Sequence, residues 1–243
     1  MPSLTLPDRL IWFAHCPKAG GTSVEQAMVA EWGSAVGHLH WGWDLWWRGG
    51  GWRVADPPNS PQHLVWEDAL RTLPRAPDAV FALVRDPVTR MASEHRWQRR
   101  GRRATRIGRA LAHLPFGLWL RVMLAAAARH PHVFDNHFRP QAAFVPEGAR
   151  IFQLEQGVEA ALDWLKAAAG RPVPAMTAPH AIATGPGAQV ASSEAGLIGR
   201  VFAVDYRRFG YVPPPRARVR PLLDRLARGL APLVVWLDRR GCL

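Results

Sequence analysis

Leu10-Ile11-Trp12-Phe13-Ala14-His15 runs without a gap into Cys16-Pro17-Lys18-Ala19-Gly20-Gly21-Thr22-Ser23, and this stretch decides how the chain is read. A short apolar run ended by a turn signal predicts a buried strand. Thr22 or Ser23 then stands where a side-chain hydroxyl caps a helix continuing through Val24, Ala27, Met28 and Ala30. Two adjacent glycines let the backbone approach a ligand closely, and a helix start aims unpaired N–H groups at it. Lys18 adds a charge, so the turn reads as an anion cradle. It is not the GxxxxGK[ST] loop of nucleotide triphosphatases, because here the lysine precedes the glycines. A plain capped helix after a turn is the competing reading of Gly-Gly-Thr-Ser taken alone.

Outward from this stretch, Ala79-Val80-Phe81-Ala82-Leu83-Val84 is a second buried strand, and Asp86-Pro87 opens a helix with proline at its first position. Residues 150–154 form a third strand. Helices are expected over 65–73, over 104–129 with a break at Pro115, over 158–169, and over 192–209 with a Ser-Ser-Glu capped start. Residues 33–63 and 171–190, rich in glycine or proline, are expected to be irregular. Strands alternating with helices predict an α/β fold, a three-layer parallel sheet flanked by helices. The expected division is one domain over 1–212 and a Pro-hinged basic amphipathic tail over 213–243, hinged at Pro213-Pro214-Pro215.

At 243 residues, 48% hydrophobic and 21% charged, the chain has the composition of a folded protein with a sizeable core. Its 31 basic residues against 19 acidic give a net charge of +12, and all the basic ones except Lys18 and Lys166 are arginine. Such a charge attracts a polyanion, a nucleotide, an acidic glycan or an anionic membrane. Two cysteines, Cys16 and Cys242, exclude a disulfide scaffold and a multi-cysteine zinc module. No signal peptide is legible and no run of about 18 apolar residues occurs. The expectation is a cytoplasmic protein, soluble or peripheral on the inner face of a membrane.

The run Pro17 to Ser23, PKAGGTS, resembles the PKTGGTS loop of sulfotransferases that use 3′-phosphoadenylyl sulfate (PAPS), with Ala19 in place of the usual threonine. Phe81 to Ser93 is similar to the VRDPVxRxxS segment of the same family. Asp135-Asn136-His137-Phe138-Arg139-Pro140-Gln141 resembles a D-x-H-x-x-P-Q segment of the glycan-directed branch, sulfotransferase family 2. Phe152 to Glu155 and Asp205 to Tyr211 resemble later segments of that branch, although Tyr206, Phe209 and Tyr211 also read as the core face of a helix end. The resemblance spans roughly residues 10 to 211. It implies the P-loop-like sulfotransferase fold, with Pro17, Lys18, Ala19, Gly20, Gly21, Thr22 and Ser23 holding the 5′-phosphosulfate. It also implies that Arg85 and Ser93 bind the 3′-phosphate. Arg85 leaves the carboxyl end of a strand, where open α/β sheets place ligands, and its planar fork suits phosphate. Lys18 is the implied charge on the leaving phosphate oxygen. No metal is expected.

For the base that takes the acceptor's proton, His38-Leu39-His40 is the strongest local signal, resembling the H-x-H of uronyl 2-O-sulfotransferases. Residues two apart on an extended segment share a face, about 7 Å apart, and an ordinary imidazole titrates near neutrality. His40 is favoured over His38. Glu25, Glu31 and His137 are rival bases; solvated loop histidines or half of a metal site are the bland readings. His137 and Arg139 read mainly as acceptor contacts. Trp41, Trp43, Trp46, Trp47 and Trp52 place five indoles in twelve residues, a platform for sugar faces, for a membrane interface or for loop packing. The expected acceptor is therefore a saccharide or glycolipid.

Two arginine-dense segments remain. Arg96 to Arg109 lines an acceptor cleft or is a solvated helical face. Residues 216–240 carry seven arginines among regularly spaced leucines, the pattern of a helix that lies on an anionic membrane or docks on the domain. The rival functions are a phosphoryl-transfer enzyme, which lacks its Walker loop here, and a polyanion-binding module. No nucleic-acid-binding motif is present, and no nucleic-acid partner is expected.

Overall fold

A computed structural model describes residues 1–38, 58–100, 105–170, 190–217 and 220–241. In chain order the strands and helices are β1 (Ser3–Thr5), β2 (Leu10–His15), α1 (Gly21–Trp32), β3 (Val36–Gly37), α2 (Trp66–Thr72), β4 (Ala79–Val84), α3 (Pro87–Arg100), α4 (Arg106–Ala112), α5 (Phe116–Arg129), β5 (Arg150–Gln153), α6 (Glu159–Ala168), α7 (Ser192–Val201), α8 (Ala203–Phe209) and α9 (Pro221–Arg239). The backbone divides into two compact units, Met1–Arg85 with Gln141–Ala183, and Asp86–Pro140 with Thr184–Leu243. Residues 213–241 belong to the second unit.

The first unit is α/β. Its five strands lie in the order β3-β1-β2-β4-β5. β2, β4 and β5 are parallel, with Phe13 opposite Phe81 and Phe81 opposite Arg150. β1 runs antiparallel to both β2 and β3, so the sheet is mixed rather than wholly parallel. The reason is the length of chain between β1 and β2. Residues 6–9, closed by the Leu6 N–H on the Arg9 carbonyl, suffice for a hairpin, whereas a parallel crossover needs a dozen residues or more. All six residues of β2 are buried, as expected of a central strand. Phe13 stacks on Phe81 at 4.8 Å, and Trp164 of α6 closes over Phe81 at 5.4 Å. Each fully buried phenylalanine contributes about 2–3 kcal/mol.

The second unit is helical among its described residues. Trp119, Leu120, Val122, Met123, Ala126, Phe202 and Tyr206 form its core, with Ala227, Ala231 and Val234 of α9. The break at Pro115 falls between α4 and α5 as expected. The expected helix over 192–209 is two helices, α7 and α8, parted at Phe202. Its serine cap is absent: Ala191 is the cap residue and its side chain makes no capping bond, while Ser193 instead donates its hydroxyl to Glu194 at 2.6 Å. Tyr206 and Phe209 are buried, in line with the core-face reading of that helix end.

The segment after Pro213 packs against α7. A Cβ at Gly196 would lie 2.8 Å from Cβ of Ala217, and one at Gly199 would lie 2.9 Å from Cγ of Pro214. Two glycines one turn apart on α7 thus form the bed on which the proline segment rests. α9 then docks along α5. Arg121 fixes the arrangement, its guanidinium donating to Glu194 at 2.8 Å and to Asp224 at 3.0 Å, with the Arg121 and Glu194 side chains both buried. Removing one member of such a pair leaves a buried charge without its counter-ion. Arg121→Ala is therefore expected to lower unfolding stability by about 3–5 kcal/mol, measured by urea denaturation.

Candidate functional site

The turn between β2 and α1 is held by side chains of the first unit, among them His15, Glu25, Gln62, Arg85 and Gln141. Gly20 takes the left-handed conformation at φ +84° and is the cap residue of α1. The helix therefore begins at Gly21, and neither Thr22 nor Ser23 caps it. Both lie inside its first turn, because a capping hydroxyl needs an extended backbone and these two are helical. Among the described residues no side chain caps α1, and no acidic residue stands in its first turn to meet the positive end of its dipole.

Gly21 answers a different constraint. A Cβ there would fall 1.9 Å from Nε2 of His15. The buried imidazole occupies that space, and its Nδ1 lies 2.8 Å from Oε1 of Glu25 on α1. Gln62 donates to the other Glu25 oxygen at 2.6 Å. His15 also stacks on Phe13 and meets the His63 ring edge-on. Burial pushes the Glu25 carboxyl upward, but the His15 charge and the His15 and Gln62 hydrogen bonds outweigh it and hold the group below its ordinary range. Glu25 is fully buried and held as a carboxylate by this network. That removes it as a rival base.

Arg85 and the loop are brought together. Its Nη1 donates to the Lys18 carbonyl at 3.4 Å. Its own backbone is gripped by the fully buried Gln141, whose Oε1 accepts from Arg85 N–H at 2.9 Å and whose Nε2 donates to Arg85 C=O at 2.8 Å. Cys16 Sγ lies 3.9 Å from the Gln141 carbonyl. Gln141 thus joins the strand end to the loop, a role that the sequence alone does not signal. Lys18 sits at φ +66°, uncommon for a residue with a Cβ. Pro17 and Ala19 are buried, Lys18 is half-buried and Thr22 is exposed. Ser23 is 3% exposed, and its hydroxyl has no hydrogen-bond partner among the described residues. A buried unsatisfied hydroxyl in the first turn of a capless helix fits an anionic oxygen at this loop.

His38 is placed elsewhere. It follows β3 at φ +58°, its Nδ1 lies 3.0 Å from Ser3 Oγ, and its ring meets Trp12 edge-on at 5.3 Å. Burial, and then the charge of the amino terminus, pull its pKa down from 6.5 to about 4. It is a far weaker base than the H-x-H pattern implied, and its partners are those of a packing residue. His40, Trp41 and Trp43, with the rest of the tryptophan loop, lie outside the described residues.

The remaining expected site residues belong to the second unit. Ser93 is buried on α3, whose start is capped by the Asp86 carboxylate accepting from the Thr89 N–H at 2.9 Å. His137 is buried, with Nδ1 2.8 Å from Oε2 of Glu94. Gln98 donates to the other Glu94 oxygen, and the Trp119 indole N–H donates to Gln98. Three consecutive non-glycine residues before it, Phe134, Asp135 and Asn136, are all left-handed, at φ 52°, 53° and 63°. Such a run costs about 1–2 kcal/mol per residue. The buried Arg90 holds it by donating to the carbonyls of His137 and Arg139, at 3.2 and 2.8 Å. Arg139 keeps a buried Nε with no partner among the described residues. Of the arginine-dense segment, Arg99, Arg100, Arg106 and Arg109 are exposed.

Acidification tests His38 and Glu25 of the first unit separately. The folded state binds a proton at His38 more weakly than the unfolded chain does, so stability falls as pH drops from 6.5 toward 4. The stabilisation from ionised Glu25 is present above 4.5 and is lost as pH falls below it. In urea titrations across pH, His38→Gln is expected to flatten the upper window and Glu25→Gln the lower one. Lys18→Gly is expected to leave stability unchanged or raised by about 1 kcal/mol, because glycine relieves the left-handed strain.

No protein-family model matches the chain, and no curated protein and no solved structure matches it.

Proposed function

We propose that the chain is a sulfotransferase of the P-loop-like fold, moving a sulfuryl group from PAPS to a hydroxyl of a glycan or glycoconjugate. The observation that carries this reading is the loop Cys16 to Ser23. A left-handed glycine opens a helix without a side-chain cap, Ser23 contributes an unsatisfied buried hydroxyl, and Arg85 braces the lysine that precedes them. PAPS supplies an activated sulfuryl group on a phosphate leaving group.

Each residue then has a separate task. The first-turn backbone of α1 and the Ser23 hydroxyl bind phosphate or sulfate oxygens. Lys18, a compact cation, offsets the charge that grows on the leaving oxygen. Arg85 serves the nucleotide phosphate with its fork while its backbone is fixed by Gln141. Ser93 is the second donor that the resemblance assigns to the 3′-phosphate. The acceptor hydroxyl must lose its proton as its oxygen bonds to sulfur. His40 is the base we assign; Glu25 is locked in a buried network and His38 titrates near 4, which leaves Glu31 and His137 as its rivals. His137 and Arg139 are assigned to the acceptor, a saccharide or glycolipid, with Trp41 and Trp43 stacking on its sugar faces.

Calorimetry with 3′,5′-adenosine bisphosphate, without magnesium, tests the nucleotide assignment. Binding is expected in the micromolar range, about 8 kcal/mol, and Lys18→Ala and Arg85→Ala should each weaken it about tenfold or more. Absence of binding by the native chain overturns the reading. Turnover of labelled PAPS tests the base: His40→Ala should abolish transfer and leave bisphosphate binding intact, and near-normal turnover would move the base elsewhere.

A further inference from the structure

One face of α9 packs into the core of the second unit, and the other carries a row of large apolar side chains into solvent. Leu222, Leu226, Leu233 and Trp236 are 78%, 50%, 51% and 49% exposed. With the exposed Gly229 between them they recur at intervals of three and four residues, which places them on one side of the helix. Arg225, Arg228, Arg239 and Arg240 are exposed beside this row, and the Arg240 guanidinium lies 4.3 Å over the Trp236 ring. The two carboxylates of the helix are turned the other way: Asp224 accepts from Arg121 and Asp238 from the Phe134 N–H. The outward face is therefore apolar along its centre and cationic along its flanks.

We propose that this face of α9 docks on an anionic membrane surface. Charge complementarity selects that occupant. The second unit holds 21 basic and 7 acidic residues, net +14, against 10 basic and 12 acidic in the first, net −2. The attraction for anions is thus concentrated in the unit that carries the apolar row. An amphipathic helix with leucine and tryptophan on one side and flanking arginine inserts its apolar side at the headgroup boundary while the arginines meet anionic lipid. A second copy of the chain would set four arginines against the same four. A nucleic acid would meet the arginines and leave the leucines and Trp236 without a partner. The contact is a surface one, because no single helix among the described residues is long and apolar enough to cross a membrane.

Flotation of the full chain with vesicles tests this. The native chain is expected to float with phosphatidylcholine mixed with phosphatidylglycerol and to remain below with phosphatidylcholine alone. Leu226→Glu/Leu233→Glu/Trp236→Glu should reduce the bound fraction at least tenfold, with circular dichroism unchanged because all three side chains point outward. If that variant fails to fold, the alanine triple at the same positions replaces it with the same expected direction. Arg225→Gln/Arg228→Gln should weaken flotation and its dependence on salt. Failure of the native chain to float on the anionic vesicles overturns the proposal, as does undiminished flotation of the folded triple variant. Light scattering that shows a native dimer, dissociated by the triple variant, with no flotation of either, assigns the face to a second copy instead. Calorimetry with adenosine bisphosphate runs in parallel, so a failure here leaves the nucleotide reading separately judged.

Discussion

A buried imidazole beneath a glycine is the constraint on which the first unit depends. His15 ends the central strand, and its ring fills the space that any side chain at position 21 would need. Its bond to Glu25 ties the strand to α1, and Gln62 ties a third segment to the same carboxylate. Because the ring must fit, the helix must start on glycine. Because the residue before it is a left-handed glycine, which carries no side chain, the helix has no side-chain cap at that position. The anion-binding character proposed for the loop is in this sense a product of how strand and helix are packed. Lys18 alone would not create it.

Two arginines brace strained backbone in similar ways. Arg85 donates to the carbonyl of the left-handed Lys18, and Arg90 donates to carbonyls just after the left-handed run 134–136. In both places a planar cation with several fixed donors holds a conformation that the chain would otherwise leave. Strain of this kind persists only where its surroundings over-determine it. Both places lie in segments that the sequence offers as site candidates, each beside a buried polar atom without a partner among the described residues, Ser23 Oγ in one and Arg139 Nε in the other.

Much of this framework can be read from the residues. β2, β4 and β5 are legible because buried strands are continuous apolar runs, and the helix starts at Pro87 and Phe116 are legible because proline announces them. β1 and β3 are not, since three and two residues carry no periodicity, and the mixed sheet follows from them. Spacing also misleads at His38. The H-x-H pattern reports alternation and not environment, and it cannot foresee that Ser3 and Trp12 would enclose the ring. The serines at 192 and 193 mislead similarly, because a buried Arg121 claims the glutamate that a capping box would use. Gln141 illustrates the opposite case, a residue with an ordinary signal whose amide replaces a missing strand partner at Arg85. The +12 charge, undivided in the sequence, separates only once the two units are known.

Both units are assembled from stretches distant in the chain, and this shapes how the protein must fold. β4 can pair with β5 only after the intervening residues 85–149 have been made, and α5 is covered only when α9, some hundred positions later, has emerged. Contacts so remote in sequence carry a large loop-closure cost and slow folding. During synthesis neither core can close as its first half appears. Trp119, Leu120 and Met123 in particular have to wait for α9, so the second unit's apolar surface stays uncovered until then.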